Sequence, residues 1–486
     1  MKAFLLCALP LAFALFSCTE KPLVVVDLSD SESFAAENAD IVITSGEGWE
    51  SASESEKRET ERGLLVFRAW HVPRADALSR RRDATLDSCL NGEEELVPLA
   101  ELDAPYIALR VDGLTVADNE YPLVKVIRTE FRVMEKTPRF AWFFGKTRSQ
   151  KRESRVAEKI AALKEEALET SVSRIESAPR VLWIAAGGDV MLGRGALDIL
   201  AREGPAGIFG GTADLIKNAD ISVINLEGVI SSRGEKIQKS YNFRFAPAAA
   251  PALKNAGINA VLHANNHVFD YGMDAFTDSL AALKAAGIGA LGAGNTIEEA
   301  AAAYEIVSPN GTARLFGIAS FPREQNWDGA SAAARQNLAG MLFASRGGAD
   351  KLKENLSEAF DIVFFHGGAE WSTSPDARTR ELYTGLIDAG ADLVIGSHPH
   401  VTQGFEWING KAVFWSLGNF VFGGMDGTAG GEQGLFVSLG YAGKKLAYLE
   451  PEAVALKGSR AVIAPRGEPD IFYARSQALP QFCVSD

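Results

Sequence analysis

Five short apolar runs in this chain are each followed at once by residues that can hold a metal ion or move a proton. The run 181–186 leads into Gly187-Gly188-Asp189, and 221–224 leads into Asn225-Leu226-Glu227. The run 259–262 leads into His263-Ala264-Asn265-Asn266-His267. The run 362–365 leads into His366-Gly367-Gly368, and 393–395 into Gly396-Ser397-His398-Pro399-His400. The chain has six histidines, and His267, His366, His398 and His400 all fall in these segments. Imidazole, carboxylate and amide oxygen together suit a borderline or hard divalent ion such as Mn, Zn or Fe, not a thiolate site. Two such ions bridged by one carboxylate would activate water and stabilise charge on both the attacking and the leaving oxygen. His398 and His400 reach nearby points only if the backbone bends between them, and Pro399 helps to fix a bend.

The elements that must position these groups follow from the apolar pattern. Strand-length runs at 181–185, 221–224, 259–262, 315–318, 362–365, 393–395 and 413–415 alternate with helical segments. Helices are expected over 274–286 and 376–388, the second with Ser374 as N-cap, Pro375 in its first turn and Gly390 at its stop. Buried strands alternating with helices imply an α/β architecture. In such sheets the C-terminal strand ends line the ligand crevice, which is where the Asp, Glu, Asn and His residues fall.

The segments stand as GDVMLGR (188–194), NLEG (225–228), ANNHVFDYG (264–272), HGGAEW (366–371), GSHPHV (396–401) and SLGNFVF (416–422). In order and spacing this series closely resembles the CapA family of poly-gamma-glutamate capsule synthesis proteins, over about 181–440. That family is similar to the calcineurin-like metallophosphoesterases. The resemblance implies a sandwich of two sheets flanked by helices. It also implies Asp189, Glu227, Asn266, His366, His398 and His400 as ligands of one or two divalent ions, with Glu227 bridging. His267 would be the general acid; Asp270, three residues on, is expected from its proximity alone to hold that imidazole in its protonated form. Arg194 and Glu370 would contact substrate, and Asn419 is expected to bind substrate or orient a ligand. Two departures stand out. Met191 occupies the position where phosphoesterases carry a histidine, which removes one ligand, and Gly367 replaces an aromatic residue, which alters the pocket.

The chain has 486 residues, more than one core usually holds, so two folded domains are expected. Its net charge of −14 argues against a nucleic-acid partner. Residues 1–18 read as a signal peptide: Lys2, an apolar stretch, then Ser17-Cys18 in the manner of a lipobox. Lipidation at Cys18 would make the protein an exported, membrane-anchored lipoprotein of the bacterial cell envelope. Cys89 and Cys483 then remain, as a pair or as free thiols. Residues 19–178 are expected to form a smaller N-terminal α/β domain that ends in a long amphipathic helix over 147–177. Two short phrases in it, at 39–44 and 111–123, look like pieces of solute-binding domains. Residues 179–450 would be the CapA-type domain, and 451–486 a C-terminal extension.

These readings converge on an exported, metal-dependent hydrolase or transferase. It would act on a surface polymer or phosphoester in poly-gamma-glutamate-type capsule synthesis or processing. The alternative is a non-catalytic metal-binding accessory of an envelope synthesis complex, and a third reading is a solute-binding lipoprotein.

Overall fold

The computed structural model describes residues 25–27, 41–50, 64–79, 81–133, 154–162, 179–324, 327–425, 427–463 and 474–477. The chain divides into two compact units: residues 1–69 with 124–177, and residues 70–123 with 178–486. In the first unit, Val25–Asp27 pairs in parallel with Ile41–Glu50, and Ile41–Glu50 pairs antiparallel with Val124–Val133. Of the long helix expected over 147–177, residues 154–162 are helical, and the remainder lies outside the described residues.

The division differs from a single N-terminal domain over 19–178. Residues 70–123 cluster with the C-terminal unit, and the reason is specific bonding. The Arg110 guanidinium pairs with Glu450 and lies over the Trp183 ring. The Val116 amide donates to the Tyr448 hydroxyl, and Lys445 pairs with Asp103.

The second unit is built on strands β1 (Val181–Met191), β2 (Ile221–Leu226), β3 (Ala260–Leu262), β4 (Gly289–Leu291), β5 (Tyr304–Ser308), β6 (Gly311–Ser320), β7 (Asp361–Gly367), β8 (Leu393–Ser397), β9 (Thr402–Ile408), β10 (Lys411–Leu417), β11 (Asn419–Phe422), β12 (Gln433–Ala442), β13 (Lys445–Leu456) and β14 (Ala461–Ile463). One sheet runs β4-β3-β2-β1-β12-β13-β14, with β11 also beside β1; the other runs β5-β6-β7-β8-β10-β9. β13 crosses residue 450 and carries β14 on its edge, so the sheet continues past the boundary expected there.

Alternation along the strands assigns the two faces of each sheet. Ile184 and Ala186 of one sheet share a core with Ile362, Phe364, Leu393 and Ile395 of the other. The intervening Ala185 packs outward with Ile199, Leu253 and Leu283, which lie on helices. Val363 and Phe365 pack outward with Leu352 and with Tyr383 and Leu386 of the helix Ala377–Asp388. The result is an α/β sandwich of two sheets flanked by helices. Strands covered on both faces read as unbroken apolar runs, as these do.

Two helices depart in detail from expectation. One spans Gly272–Ala285 and so starts two residues early. The other, Ala377–Asp388, is capped by Asp376, whose carboxylate accepts from the Thr379 amide. Asp376 rather than Ser374 is therefore the N-cap. Pro375 precedes the cap, and the Gly390 amide closes the end by donating to the Ile387 carbonyl.

Candidate metal centre

The parallel strands β1, β2, β3, β7 and β8 deliver their C-terminal ends to one place. Asp189 lies near the end of β1, Glu227 just past β2, Asn266 and His267 past β3, His366 next to the last residue of β7, and His398 and His400 past β8. All of these residues are buried. The close approach at Asp189 depends on the residue before it. A Cβ on Gly188 would stand 1.9 Å from the Gly418 carbonyl oxygen, which is the acceptor for the Asp189 amide.

The tightest group is Asp189, Glu227 and His400, whose ligand atoms all lie within 4.8 Å of one another. His400 Nδ1 is 3.3 Å from Asp189 Oδ2, and its Nε2 is 3.5 Å from Glu227 Oε1. A chain of contacts joins the other expected ligands to this group. His398 Nδ1 is 3.0 Å from His366 Nε2, which is 2.9 Å from Asn266 Oδ1. His366 Nδ1 is 4.0 Å from Asp189 Oδ1. The backbone bend at Pro399 puts His398 at φ 99° and His400 at φ 60°. Such positive φ values are uncommon for residues with a side chain, and strained backbone of this kind clusters at functional sites.

The electrostatics fit a cation. Glu227 Oε1 is buried and has no hydrogen-bond partner. Burial pushes the Glu227 carboxyl well above its usual range, and Asp189 adds to this while His400 opposes it. Burial works against a charge on His400, but Glu227 and Asp189 outweigh it and hold the ring up to about 10. The positive charge that Glu227 and Asp189 favour on His400 is the one that a divalent ion would displace. His366 and His398 are pushed well down, first by burial and then by neighbouring cationic groups, so both rings are neutral and free to ligate.

His267 stands beside the group, with Nε2 3.7 Å from Glu227 Oε1 and Nδ1 2.6 Å from Asp270 Oδ2. Its ring packs on Phe243 at 4.2 Å between centroids. Asp270 favours a proton on this imidazole, through its charge and its hydrogen bond. Burial outweighs Asp270 and pushes the His267 pKa down. The Asp270 carboxylate is also shared, because it accepts from the Phe243 amide at 2.6 Å and from Lys239 Nζ at 3.2 Å.

Of the three residues expected at substrate, Arg194 and Glu370 are exposed, and Asn419 is fully buried. Arg194 lies over the Phe243 ring and donates to the Gly423 carbonyl. Glu370 raises the pKa of both Glu227 and His400 through its charge. Asn419 Oδ1 is 2.9 Å from His400 Nδ1, and its Nδ2 donates to the His400 and Gly431 carbonyls, so it orients His400. Met191 packs in the outer core, 1% exposed, and its sulfur accepts from the Gly193 amide. Gly367 has no room for a side chain, since a Cβ there would lie 1.8 Å from the Ser320 carbonyl oxygen.

Four residues not singled out by sequence complete the site. Asn225 Nδ2 donates to Asp189 at 2.7 Å and lies 3.3 Å from Glu227, holding the two carboxylates together. Asn265 donates to Asn225 and to the Leu226 carbonyl. Lys239, nearly buried, donates to the Asn266 carbonyl and pairs with Glu324, whose carboxylate accepts from Asn266 Nδ2. Asn225 and Asn265 lie inside the strand-end motifs and carried a signal. Lys239 and Glu324 lie on loops with no motif around them.

Residues 183–424 match the family model described as bacterial capsule synthesis protein PGA_cap. The chain is 30% identical over 249 residues to the capsule biosynthesis protein CapA of Bacillus anthracis, an alignment covering 48% of this chain and 58% of that protein. It is 29% identical over 240 residues to the PGA biosynthesis protein CapA of Bacillus subtilis, covering 48% and 62%. It is also 29% identical over 286 residues to a probable polyglutamine synthesis accessory protein of Mycobacterium tuberculosis, covering 50% and 75%. The chain thus spans about three-fifths of the length of the two Bacillus relatives.

Proposed function

Because residues 183–424 belong to the bacterial capsule synthesis protein PGA_cap family, we propose that this chain is a metal-dependent hydrolase or transferase acting on a poly-gamma-glutamate-type surface polymer or a phosphoester, outside the cytoplasmic membrane. The observation that carries this reading is the buried Asp189–Glu227–His400 group with its unpartnered Glu227 oxygen. A carboxylate atom left unpaired in the interior is costly unless a cation or donor meets it. Asp189, Glu227, Asn266, His366, His398 and His400 would hold one or two divalent ions of the Mn, Zn or Fe type. Such ions polarise a phosphoryl or acyl oxygen and lower the pKa of bound water.

The chain's own residues would do the rest. Asn225 keeps Asp189 and Glu227 in register, and Asn419 fixes the His400 ring. Asp270 accepts from His267 Nδ1–H, so Nε2 is bare in the neutral ring and would have to take up a proton before giving one to the leaving group. Arg194 and Glu370, exposed at the rim, would meet the substrate. The capsule role comes from what the relatives are called; the membrane and an envelope synthesis complex are further proposed partners.

The accessory reading has one observation in its favour. Met191 is turned into the core at a position where phosphoesterases place a ligand. Metal analysis of the purified protein, paired with turnover of an activated phosphodiester and of glutamate polymers, separates the two. Metal with turnover supports the enzyme; metal without turnover on any of them supports the accessory.

A further inference from the structure

Asn266 and His366 can each hold a cation from one end only. A carboxamide ligates through its oxygen, because its NH2 end only donates. A neutral imidazole ligates through the nitrogen that carries no proton, and the hydrogen bond at the other nitrogen decides which one that is. The residues behind these two groups therefore decide whether they can ligate at all.

Behind Asn266 stands Glu324, four residues past β6. Its carboxylate joins two donors: Oε2 lies 2.8 Å from Lys239 Nζ, and Oε1 accepts from Asn266 Nδ2 at 2.5 Å. An ionised carboxylate has no proton to give, so only the NH2 end of Asn266 can face it. Lys239 Nζ also donates to the Asn266 carbonyl at 2.6 Å and to Asp270 at 3.2 Å, so its three N–H groups are all engaged. The Glu324 backbone is held in turn by mutual hydrogen bonds with Trp327, whose ring stacks on Phe321. Asn266 Oδ1 is thereby turned inward, to 2.9 Å from His366 Nε2.

Behind His366 stands Ser397, its register partner across β7 and β8. The Ser397 hydroxyl gives its one proton to the Phe365 carbonyl at 3.1 Å. Toward His366 Nδ1, 3.2 Å away, its oxygen can then only accept. The ring proton sits on Nδ1, and Nε2 is bare. His398 Nδ1, at 3.0 Å, can donate to that nitrogen, but Asn266 Oδ1 is left facing a lone pair. Two buried acceptors set against each other are unfavourable until a cation meets both.

We infer that Glu324 and Ser397 are positioning residues that aim the lone pairs of Asn266 Oδ1 and His366 Nε2 at one point. The inference rests on the metal centre proposed above and adds two residues that act through Asn266 and His366.

Isothermal titration of the metal-free full chain with Mn2+, Zn2+ and, without oxygen, Fe2+ tests it, the variants being titrated with the ion that the parent binds most tightly. Glu324→Ala and Ser397→Ala should keep the parent's circular dichroism and each bind that ion about 10- to 100-fold more weakly. Each loss should vanish once the ligand it acts through is gone. Glu324→Ala should add nothing to Asn266→Ala, and Ser397→Ala nothing to His366→Ala, whereas losses from unrelated damage add. If Glu324→Ala does not fold, Glu324→Gln replaces it. Its one oxygen serves Asn266 or Lys239 but not both, so binding should weaken at least ~3-fold. Parent-like affinity in a Glu324 variant or in Ser397→Ala, or full additivity with the ligand variants, overturns the inference and leaves the metal centre standing. No saturable binding of any of the three ions by the parent overturns the metal centre and this inference with it.

Discussion

His267 Nδ1 and Asp270 Oδ2 lie 2.6 Å apart in a fully buried contact. Asp270 also accepts from the Phe243 amide, so its carboxylate is pinned before the imidazole meets it. The ring is thereby fixed with Nε2 toward Glu227, at 3.7 Å from Oε1. An imidazole held this way cannot flip, and the atom left for proton exchange is determined.

His267→Gln should therefore retain bound metal and lose turnover of poor leaving groups by about 10²- to 10⁴-fold, with a much smaller loss for good ones. Steady-state kinetics on a matched pair of alkyl and nitrophenyl esters reads the difference. Parallel losses for both esters contradict the donor role, and loss of metal makes His267 a ligand.

Asp270→Asn keeps the shape but supplies a weaker, uncharged acceptor to His267 and weakens the Lys239 contact. Activity should fall by about 10- to 100-fold with metal content unchanged, in the range usual for partners that orient a site histidine. Unchanged activity would show that the ring needs no such anchor.

His263 offers a pH test away from the ligands. Both its ring nitrogens are buried without a partner, and burial pushes its pKa down to about 3. The unfolded residue titrates near 6.5, so below that pH protons favour the unfolded chain. This contribution is fully present above about pH 6.5 and is lost progressively as pH falls towards about 3. His263→Leu should reduce the stability lost between about pH 7 and pH 5 by roughly 2 kcal/mol relative to the parent. Urea unfolding at each pH measures it, and identical pH slopes in the two proteins contradict the assignment.

Cys18→Ser tests the anchor suggested by Ser17-Cys18, which lies outside the described residues. The variant should no longer incorporate lipid label and should leave the membrane fraction. Persistent membrane attachment without lipid contradicts lipidation. Of the remaining thiols, Cys89 is buried and free, and Cys483 lies outside the described residues.

The α/β alternation was legible because β2, β7 and β8 are covered on both faces and read as continuous apolar runs. The site residues were legible because each sits directly after such a run. β12 and β13 were not, since the pairing of β12 with β1 joins residues more than 240 apart and no local pattern announces it. The same holds for residues 70–123, tied to the C-terminal unit by Arg110–Glu450 and Lys445–Asp103. Lys239 and Glu324 escaped notice because a lone charged loop residue looks solvated in sequence; only the fold shows Lys239 buried at 3% exposure between Asp270 and Glu324. The Asp376 cap was not legible because Pro375 suggested a first turn two positions too early.

The most direct measurement is the metal content of the parent protein and of a His398→Ala, His400→Ala variant, taken by elemental mass spectrometry, with circular dichroism to check the fold. The parent should carry one or two equivalents of a divalent transition metal, and the folded variant should lose most of it. Equal metal in both proteins, or none in a parent offered Mn, Zn and Fe, would contradict a metal centre built on Asp189, Glu227 and His400.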